Sequence, residues 1–165
     1  MKRIVFILFL LSMVFTISKE EKYIIPDDAI RFRVIANSNS LEDQEKKVHI
    51  KNVVQNKLKN ILNNSNSMID SKNRIKANLN NIGYLVSQET QDYTIKYGYN
   101  YFPEKEYRKV IYPEGYYESL VITLGDGIGD NWWCVLYPPL CFIDENETSH
   151  DYDLYVKKIF SKLNS

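Results

Sequence analysis

Two cysteines, Cys134 and Cys141, are the residues of this chain whose chemistry depends most on their spacing. Six residues separate them, and Pro138-Pro139 turns the chain between them, so the two thiols could meet as a disulfide. The alternative is a pair of buried free thiols, which behave as small apolar side chains. No C-x-x-C redox motif and no nearby histidine accompany the pair, and a structural zinc ion needs four ligands. The sequence therefore leaves the disulfide open and predicts no metal site.

The glycine-rich run GDGIGD, residues 125–130, raises two further possibilities. A loop that binds phosphate opens a helix, whose N-terminus then holds the anion. Here the run precedes residues 132–137, which are apolar and typical of a buried strand. We therefore interpret GDGIGD as a hairpin turn between two strands. Asp126, Asp130 and Asn131 would hold calcium only weakly, because no EF-hand pattern surrounds them.

Catalytic motifs are absent from the sequence. It contains neither the DTG or DSG motif of an aspartic protease nor a G-x-S-x-G nucleophile elbow. His49 lies in a charged segment and His150 in a polar one, and neither has a serine or cysteine partner nearby in sequence. We therefore predict no catalytic residue and no cofactor.

The charge balance excludes one class of partner. The chain has 21 basic and 21 acidic residues, with no long block of either sign. Nucleic-acid binding needs a concentrated basic surface, so we expect no nucleic-acid partner. A length of 165 residues with 44% hydrophobic content suits one compact domain.

The N-terminal segment, residues 1–18, has the pattern of a secretory signal peptide. Lys2 and Arg3 precede an apolar run, residues 4–17, that is shorter than the roughly 20 residues of a membrane-spanning helix. We expect cleavage after Ser18, and an uncleaved membrane anchor is the alternative. Either form is exported to a compartment in which a disulfide can persist.

The elements that would position these residues begin with a strand. Residues 19–29 are interpreted as a lead-in and residues 30–165 as a single domain. Residues 30–36 alternate apolar side chains with Arg31 and Arg33. Such alternation predicts a half-buried strand, whose arginines lie on a solvated or salt-bridged face.

Two long helices are predicted next. Ser40 is expected to cap a helix over residues 41–62, in which apolar side chains recur at helical spacing. Asp70 or Ser71 is expected to cap a second helix that continues through Gly83 to about residue 86. The short connector between them would leave the two helices antiparallel on one face of a sheet.

From Tyr93 the apolar period changes from helical to alternating, which predicts a series of strands. We expect strands near residues 93–101, 107–112, 116–124 and 132–137, and a short C-terminal helix near residues 154–163. Adjacent residues of a strand point to opposite faces, so Trp132 and Trp133 should separate, one in the core and one on a second surface that is either under a helix or open to a partner. The predicted fold class is α+β, a two-layer sandwich with a mostly antiparallel sheet and two long helices on one face.

Two long blocks of sequence resemble the stage II sporulation protein R family of endospore-forming bacteria. They are IRFRVIANSNSLEDQEKK, residues 30–47, and IYPEGYYESLVITLGDGIGDNWWCVLYPPLCFID, residues 111–144. The strand with two arginines, the A-N-S turn and the N-W-W-C-V-L-x-P-P-L-C-F-x-D pattern carry the resemblance. Asn39 is a departure, since the family more often has aspartate there, and an electrostatic role at this turn is therefore not expected.

The resemblance implies a signalling protein and not an enzyme. Such proteins are secreted from the forespore into the space between two membranes. There they trigger a membrane-embedded aspartic protease of the mother-cell membrane, which processes pro-sigma-E. We expect this chain to act in the same way, as a monomer. The runner-up interpretation is a cell-envelope hydrolase or a domain that binds wall glycan.

The family motifs also indicate candidate residues for partner recognition. They are the polar residues of the turn and first helix and the first residues of the tryptophan strand: Asn37, Ser38, Asp43, Gln44, Asn131, Trp132 and Trp133. Tryptophan suits such a role because it brings a large contact area at low entropic cost. The alternative is that these residues specify the fold, as turn and core positions.

Overall fold

A computed structural model describes residues 22–107, 110–143 and 149–163. The predicted signal segment and its cleavage site lie outside the described residues. The side chain of His150 is likewise not among those described. Among the described helices, none combines the length and the apolar character needed to cross a membrane.

The described chain contains seven strands, four α-helices and one short 3-10 turn. In chain order they are β1 (Tyr23–Ile24), β2 (Ile30–Ile35), α1 (Leu41–Leu62), α2 (Met68–Ala77), α3 (Leu79–Ser87), β3 (Tyr93–Phe102), β4 (Lys105–Tyr107), β5 (Val110–Tyr112), β6 (Gly115–Leu124), β7 (Asn131–Tyr137), the 3-10 turn (Leu140–Phe142) and α4 (Ser149–Leu163). The α+β class is confirmed, and a helix near the C-terminus is present.

Two mixed sheets organise these strands. The larger sheet has the order β3-β6-β2-β7, with β2 parallel to β6 and the other two pairs antiparallel. The smaller sheet has the order β1-β5-β4, in which β1 and β5 are parallel. The described part of the lead-in therefore contributes a strand, and Ile25 just after it is buried.

The predicted hairpin between β6 and β7 is wrong, because β2 lies between these two strands. The central position suits β2, since Ile30, Phe32 and Val34 are buried and so is Arg31 on the opposite face. The GDGIGD loop must therefore cross over the end of β2. Neighbouring strands lie about 4.8 Å apart, so the loop spans about twice that distance.

One face of the larger sheet packs against α1, α2 and α3. Val54 and Leu58 of α1, Ile75 of α2 and Ile82 of α3 share a buried cluster with Phe32 and its neighbours on this face. The helix over residues 41–62 is confirmed with Ser40 as its N-cap, whose side chain accepts a hydrogen bond from the Asp43 amide.

The predicted second long helix is two shorter helices. Its N-cap is Ser67 and not Asp70 or Ser71, and the Asp70 amide donates to the Ser67 hydroxyl. The break falls at Asn78, whose side chain donates to the Arg74 carbonyl at 2.9 Å and competes with continued helix. Gly83 stays helical, and its carbonyl accepts a hydrogen bond from the Tyr93 hydroxyl.

The other face of the larger sheet is also covered, which the two-layer prediction missed. The smaller sheet and α4 bury a second cluster that includes Phe102, Tyr112, Tyr117, Val135 and Val156. The molecule therefore has three layers, with the larger sheet in the middle. Because this second layer covers the arginine face, β2 is buried on both sides.

Candidate functional site

Asn37 joins the end of β2 to the GDGIGD loop and to α1. Its Nδ2 donates to Asp43 Oδ2 at 3.0 Å, and its Oδ1 accepts from the Asp126 amide at 3.0 Å. Its backbone carbonyl accepts from the Ile128 amide at 3.2 Å. One asparagine thus ties three segments together through three hydrogen bonds.

Asp43 receives hydrogen bonds from the turn that precedes α1. Ser38 Oγ donates to Asp43 Oδ2 at 2.5 Å, beside the bond from Asn37. The hydrogen bonds from Ser38, then Asn37, lower the pKa of the Asp43 carboxyl below its ordinary value, so it is ionised at neutral pH. The carboxylate also lies in the first turn of α1, where the helix dipole favours a negative charge.

Gln44, Asn39 and Lys47 complete the cluster, which we call the Asn37 network (Asn37, Ser38, Asn39, Asp43, Gln44 and Lys47 with the backbone of residues 126–130). Gln44 Nε2 donates to the Ser38 carbonyl at 2.9 Å. Asn39 Oδ1 accepts from the Asp130 amide at 2.6 Å, so its contact there is to backbone. Lys47, 7% exposed, donates to Gln44 Oε1 and to the Asp130 carbonyl.

Glycines allow the loop to approach this network closely. A Cβ at Gly125, where φ is +52°, would lie 2.2 Å from Asn37 Oδ1. A Cβ at Gly129 would lie 2.3 Å from the Ser38 carbonyl oxygen. Such distances exclude any side chain, so the glycines of GDGIGD serve close packing across the end of β2.

The polar side chains of the Asn37 network form their hydrogen bonds within the network itself. Of the sequence-predicted residues, it gathers Asn37, Ser38, Asp43 and Gln44, and their polar groups bond to one another or to backbone. Among the described residues, no cluster of three metal-ligating side chains occurs. The geometry therefore favours a structural role for these four residues. Two apolar side chains of the same segments, Leu41 and Ile128, are exposed, at 76% and 77%.

We expect Asn37→Ala to lower the free energy of unfolding by about 2 kcal/mol, because it leaves the Asp126 amide without its partner and removes the hydrogen bond from Asn37 to the Asp43 carboxylate, which keeps the one from Ser38. Chemical denaturation of the purified protein measures the change. Asn39→Ala is the matched control, since Asn39 is exposed at the same turn, and we expect it to cost about half as much. Equal costs for the two variants would contradict a central role for Asn37.

Trp132 and Trp133 lie on opposite faces of β7, as predicted. Trp132 packs edge-on against Phe32, with ring centres 5.8 Å apart, on the helix side. Trp133 packs against Phe102 and Tyr112 on the other side, at 5.6 and 5.4 Å. Both are half-buried and each packs against a different core, which agrees with the alternative in which the second surface is covered by other elements of the fold.

Both tryptophans line a cleft of about 480 Å³ beside β7. Its walls also include Asn131, Lys105, Tyr112 and Tyr152, together with the cysteine pair. Burial, and then the neighbouring Tyr152, raise the pKa of Tyr112 above its ordinary value. Asn131, at the start of β7, is exposed. The sequence-predicted residues thus divide between the Asn37 network and this tryptophan cleft.

The structure pairs Cys134 with Cys141 as a disulfide whose Cα atoms lie 5.3 Å apart. The bond closes the loop between β7 and the 3-10 turn, and Gln55 of α1 donates to the Cys141 carbonyl. It therefore forms part of one wall of the tryptophan cleft.

We expect the exported protein to resist alkylation at both cysteines until a reductant is added, as measured by intact mass. Reduction should lower the free energy of unfolding by about 2–3 kcal/mol, since the closed loop is short. The double variant Cys134→Ser with Cys141→Ser should lose a similar amount and no longer respond to reductant. Labelling of both thiols in folded, unreduced protein would contradict the bond.

Arg31 is a residue that sequence reasoning placed wrongly. Its side chain is fully buried, and its guanidinium carbon lies 3.5 Å from the ring centre of Tyr117, 4.9 Å from that of Phe102 and 5.1 Å from that of Trp133. Burial lowers its pKa to about 10. Nη2 donates to the Pro113 carbonyl at 3.0 Å, but Nε and Nη1 have no hydrogen-bond partner among the described residues.

Arg33 shares this environment in part. Its guanidinium carbon lies 3.9 Å from the ring centre of Phe102, and Nη2 donates to the Tyr101 carbonyl at 2.8 Å. Burial lowers its pKa as well. Neither arginine of β2 forms an ion pair with a described residue, so the predicted solvated or salt-bridged face is wrong. The signal available in the sequence was the number of aromatic residues after Tyr93, which supply the rings around both arginines.

These features belong to an α+β domain built around the two sequence blocks at residues 30–47 and 111–144. Both blocks lie within residues 26–147, which match the family model described as stage II sporulation protein R. The chain belongs to the stage II sporulation protein R family.

A curated relative supports the same assignment. Stage II sporulation protein R of Bacillus subtilis (strain 168) is 39% identical over 134 residues, which cover 77% of this chain and 59% of that protein. The chain thus spans about three fifths of the length of that relative. No solved structure matches the chain significantly.

Proposed function

We propose that this protein is an exported signal of endospore formation, which triggers a membrane-embedded aspartic protease of the mother-cell membrane to process pro-sigma-E. The observation that carries the proposal is family membership across residues 26–147. The apolar run at residues 4–17, behind Lys2 and Arg3, supports export. The half-buried tryptophans of the cleft offer an aromatic surface of the kind that protein partners use.

Co-expression tests this function directly. The full chain, its cognate protease and a tagged pro-sigma-E are produced together in a host that makes none of them. Processing is expected only when all three are present, and deletion of residues 2–18 should abolish it by preventing export. If pro-sigma-E stays intact with all three proteins present and the chain exported, the proposed function is wrong.

A second candidate, binding of wall glycan, is favoured by one observation. The tryptophan cleft combines two tryptophans and three tyrosines with Gln55 and Asn131, and aromatic rings beside amides suit sugar rings. Pelleting of the purified protein with peptidoglycan measures this binding. Retention that Trp133→Phe reduces would support the glycan candidate, and recovery of the protein in the supernatant would exclude it.

The exported form should begin at Lys19, because the signal pattern ends at Ser18. Intact mass of the protein released from the host cells measures the N-terminus. Recovery of the full-length chain in the membrane fraction alone would mean an uncleaved anchor. A tethered form would face the same compartment, so this outcome would correct the processing step without affecting the signalling proposal.

A further inference from the structure

The tryptophan cleft lies along the backbone edge of β7. Residues 131–135 are consecutive in this strand, and all of them line the cleft. Because successive side chains of a strand point to opposite faces, a space that contacts five in a row must lie beside the strand edge. Among the described strands, β7 pairs with β2 alone, so this edge is the outer edge of the larger sheet.

The walls beyond the edge come from three other parts of the fold, one of which is the 3-10 turn with the residue after it, through Leu140, Cys141 and Ile143. Tyr107, Tyr112 and Tyr152 stand on the side of the smaller sheet and α4, and Gln55 stands on the side of α1. An outer strand edge presents backbone donors and acceptors that can pair with another extended chain. The cleft thus combines a backbone edge with side-chain pockets on both faces, and a volume of about 480 Å³ suits a few residues of peptide.

The charge of the cleft limits the chemistry of its occupant. Lys105 is the only charged residue among the described residues that line it, and its ammonium lies 5.3 Å from the ring centre of Trp133. Lys105 is exposed and forms no ion pair within the described part of the chain. A carboxylate is therefore the side chain that the cleft would pair best.

We propose that an extended acidic segment of the protein partner adds to the outer edge of β7 as a further strand, with a carboxylate directed at Lys105. This inference rests on the proposed function, in which the partner is a protein. The backbone edge favours peptide over glycan, because a strand edge offers regularly spaced backbone groups to another strand. The shape of the aromatic walls and the charge of Lys105 then determine which segment the cleft binds.

Site-specific crosslinking tests the location in the co-expression system. Asn131 is replaced by the photoreactive residue p-benzoylphenylalanine, since its exposed side chain lies at the cleft. Lys96 is the matched control, because it is exposed on β3 at the opposite edge of the same sheet. We expect an adduct with the protease from position 131 and none from position 96. An adduct from position 96 alone, or none from 131 while processing continues, would overturn the inference.

Charge reversal tests the chemistry. Lys105→Glu should reduce the rate of pro-sigma-E processing about tenfold, as expected for loss of a charge-assisted hydrogen bond, and Lys96→Glu should leave it unchanged. Equal effects of the two variants would overturn the role of Lys105. Absence of processing with the unmodified chain would instead refute the proposed function, so the two failures are distinguishable.

The mode of binding is tested with a synthetic peptide of the crosslinked segment. Both tryptophans of the chain line the cleft, so their fluorescence reports its occupancy. N-methylation of every second peptide amide should abolish binding for one set of alternate positions and spare the other, because only one edge of an added strand faces β7. Equal effects at both sets, or quenching by N-acetylglucosamine oligomers in place of the peptide, would overturn strand addition.

Discussion

Replacing Trp133 with alanine is expected to lower the free energy of unfolding by about 3 kcal/mol, at the low end for a tryptophan truncation because the ring is half-buried. The ring contacts Phe102 and Tyr112 and lies over Arg31, so its loss leaves a cavity in the second core. Trp132→Ala should cost less, about 2 kcal/mol, because its ring meets one aromatic partner, Phe32.

Urea denaturation followed by far-UV circular dichroism measures both costs. Trp133→Phe is the matched control, since it keeps an aromatic ring in the second core, and it should cost about 1 kcal/mol. A greater loss from Trp132→Ala than from Trp133→Ala would contradict this account of the packing. Processing of pro-sigma-E by the same variants separates folding from recognition. If loss of processing follows loss of stability throughout, the tryptophans specify the fold and do not contact the partner.

Local signals in the sequence predicted the parts of the fold that depend on neighbouring residues. The helix over residues 41–62 follows from its apolar spacing and from the cap at Ser40, and the structure has both. The break at Asn78 was missed, although an asparagine side chain can bond to the preceding turn. The helix was expected to continue through Gly83, and it does. Packing decided the outcome at Gly83, because Tyr93 of β3 holds the carbonyl of that turn.

Strand order was beyond local pattern, because it depends on contacts between distant segments. The length of GDGIGD held one clue, since six residues exceed a tight two-residue hairpin and suit a crossing over an intervening strand. The polar turn held another, because Asn37 at the end of β2 bonds to the amide of Asp126. Sequence reasoning did not predict that Asn37 and Asp126 are in contact, and it assigned them no shared role.

Sequence reasoning named some residues of the candidate cleft and missed others. The motif positions Asn131, Trp132 and Trp133 do line one cleft. Lys105 and Tyr152, which line the same cleft, come from segments without a local motif. Their placement depends on the smaller sheet and α4, whose packing over the larger sheet could not be inferred from alternation in β2.

The buried Arg31 provides a second large effect, and the choice of replacement determines its size. Arg31→Ala should lower the free energy of unfolding by about 3 kcal/mol, because the truncated side chain leaves a cavity between the rings of Tyr117, Phe102 and Trp133. Thermal and chemical unfolding of the purified variant measure the loss.

Arg31→Met separates packing from charge. Methionine fills a similar volume without a charge, and it removes the cost of burying a guanidinium whose Nε and Nη1 lack partners among the described residues. We therefore expect Arg31→Met to lie within about 1.5 kcal/mol of the unsubstituted protein, or above it. A loss as large as that of Arg31→Ala would instead show that the attraction to the rings and the hydrogen bond to Pro113 dominate. If Arg31→Met folds normally but no longer triggers processing, the guanidinium serves recognition, and its charge is retained in the core at a cost in stability.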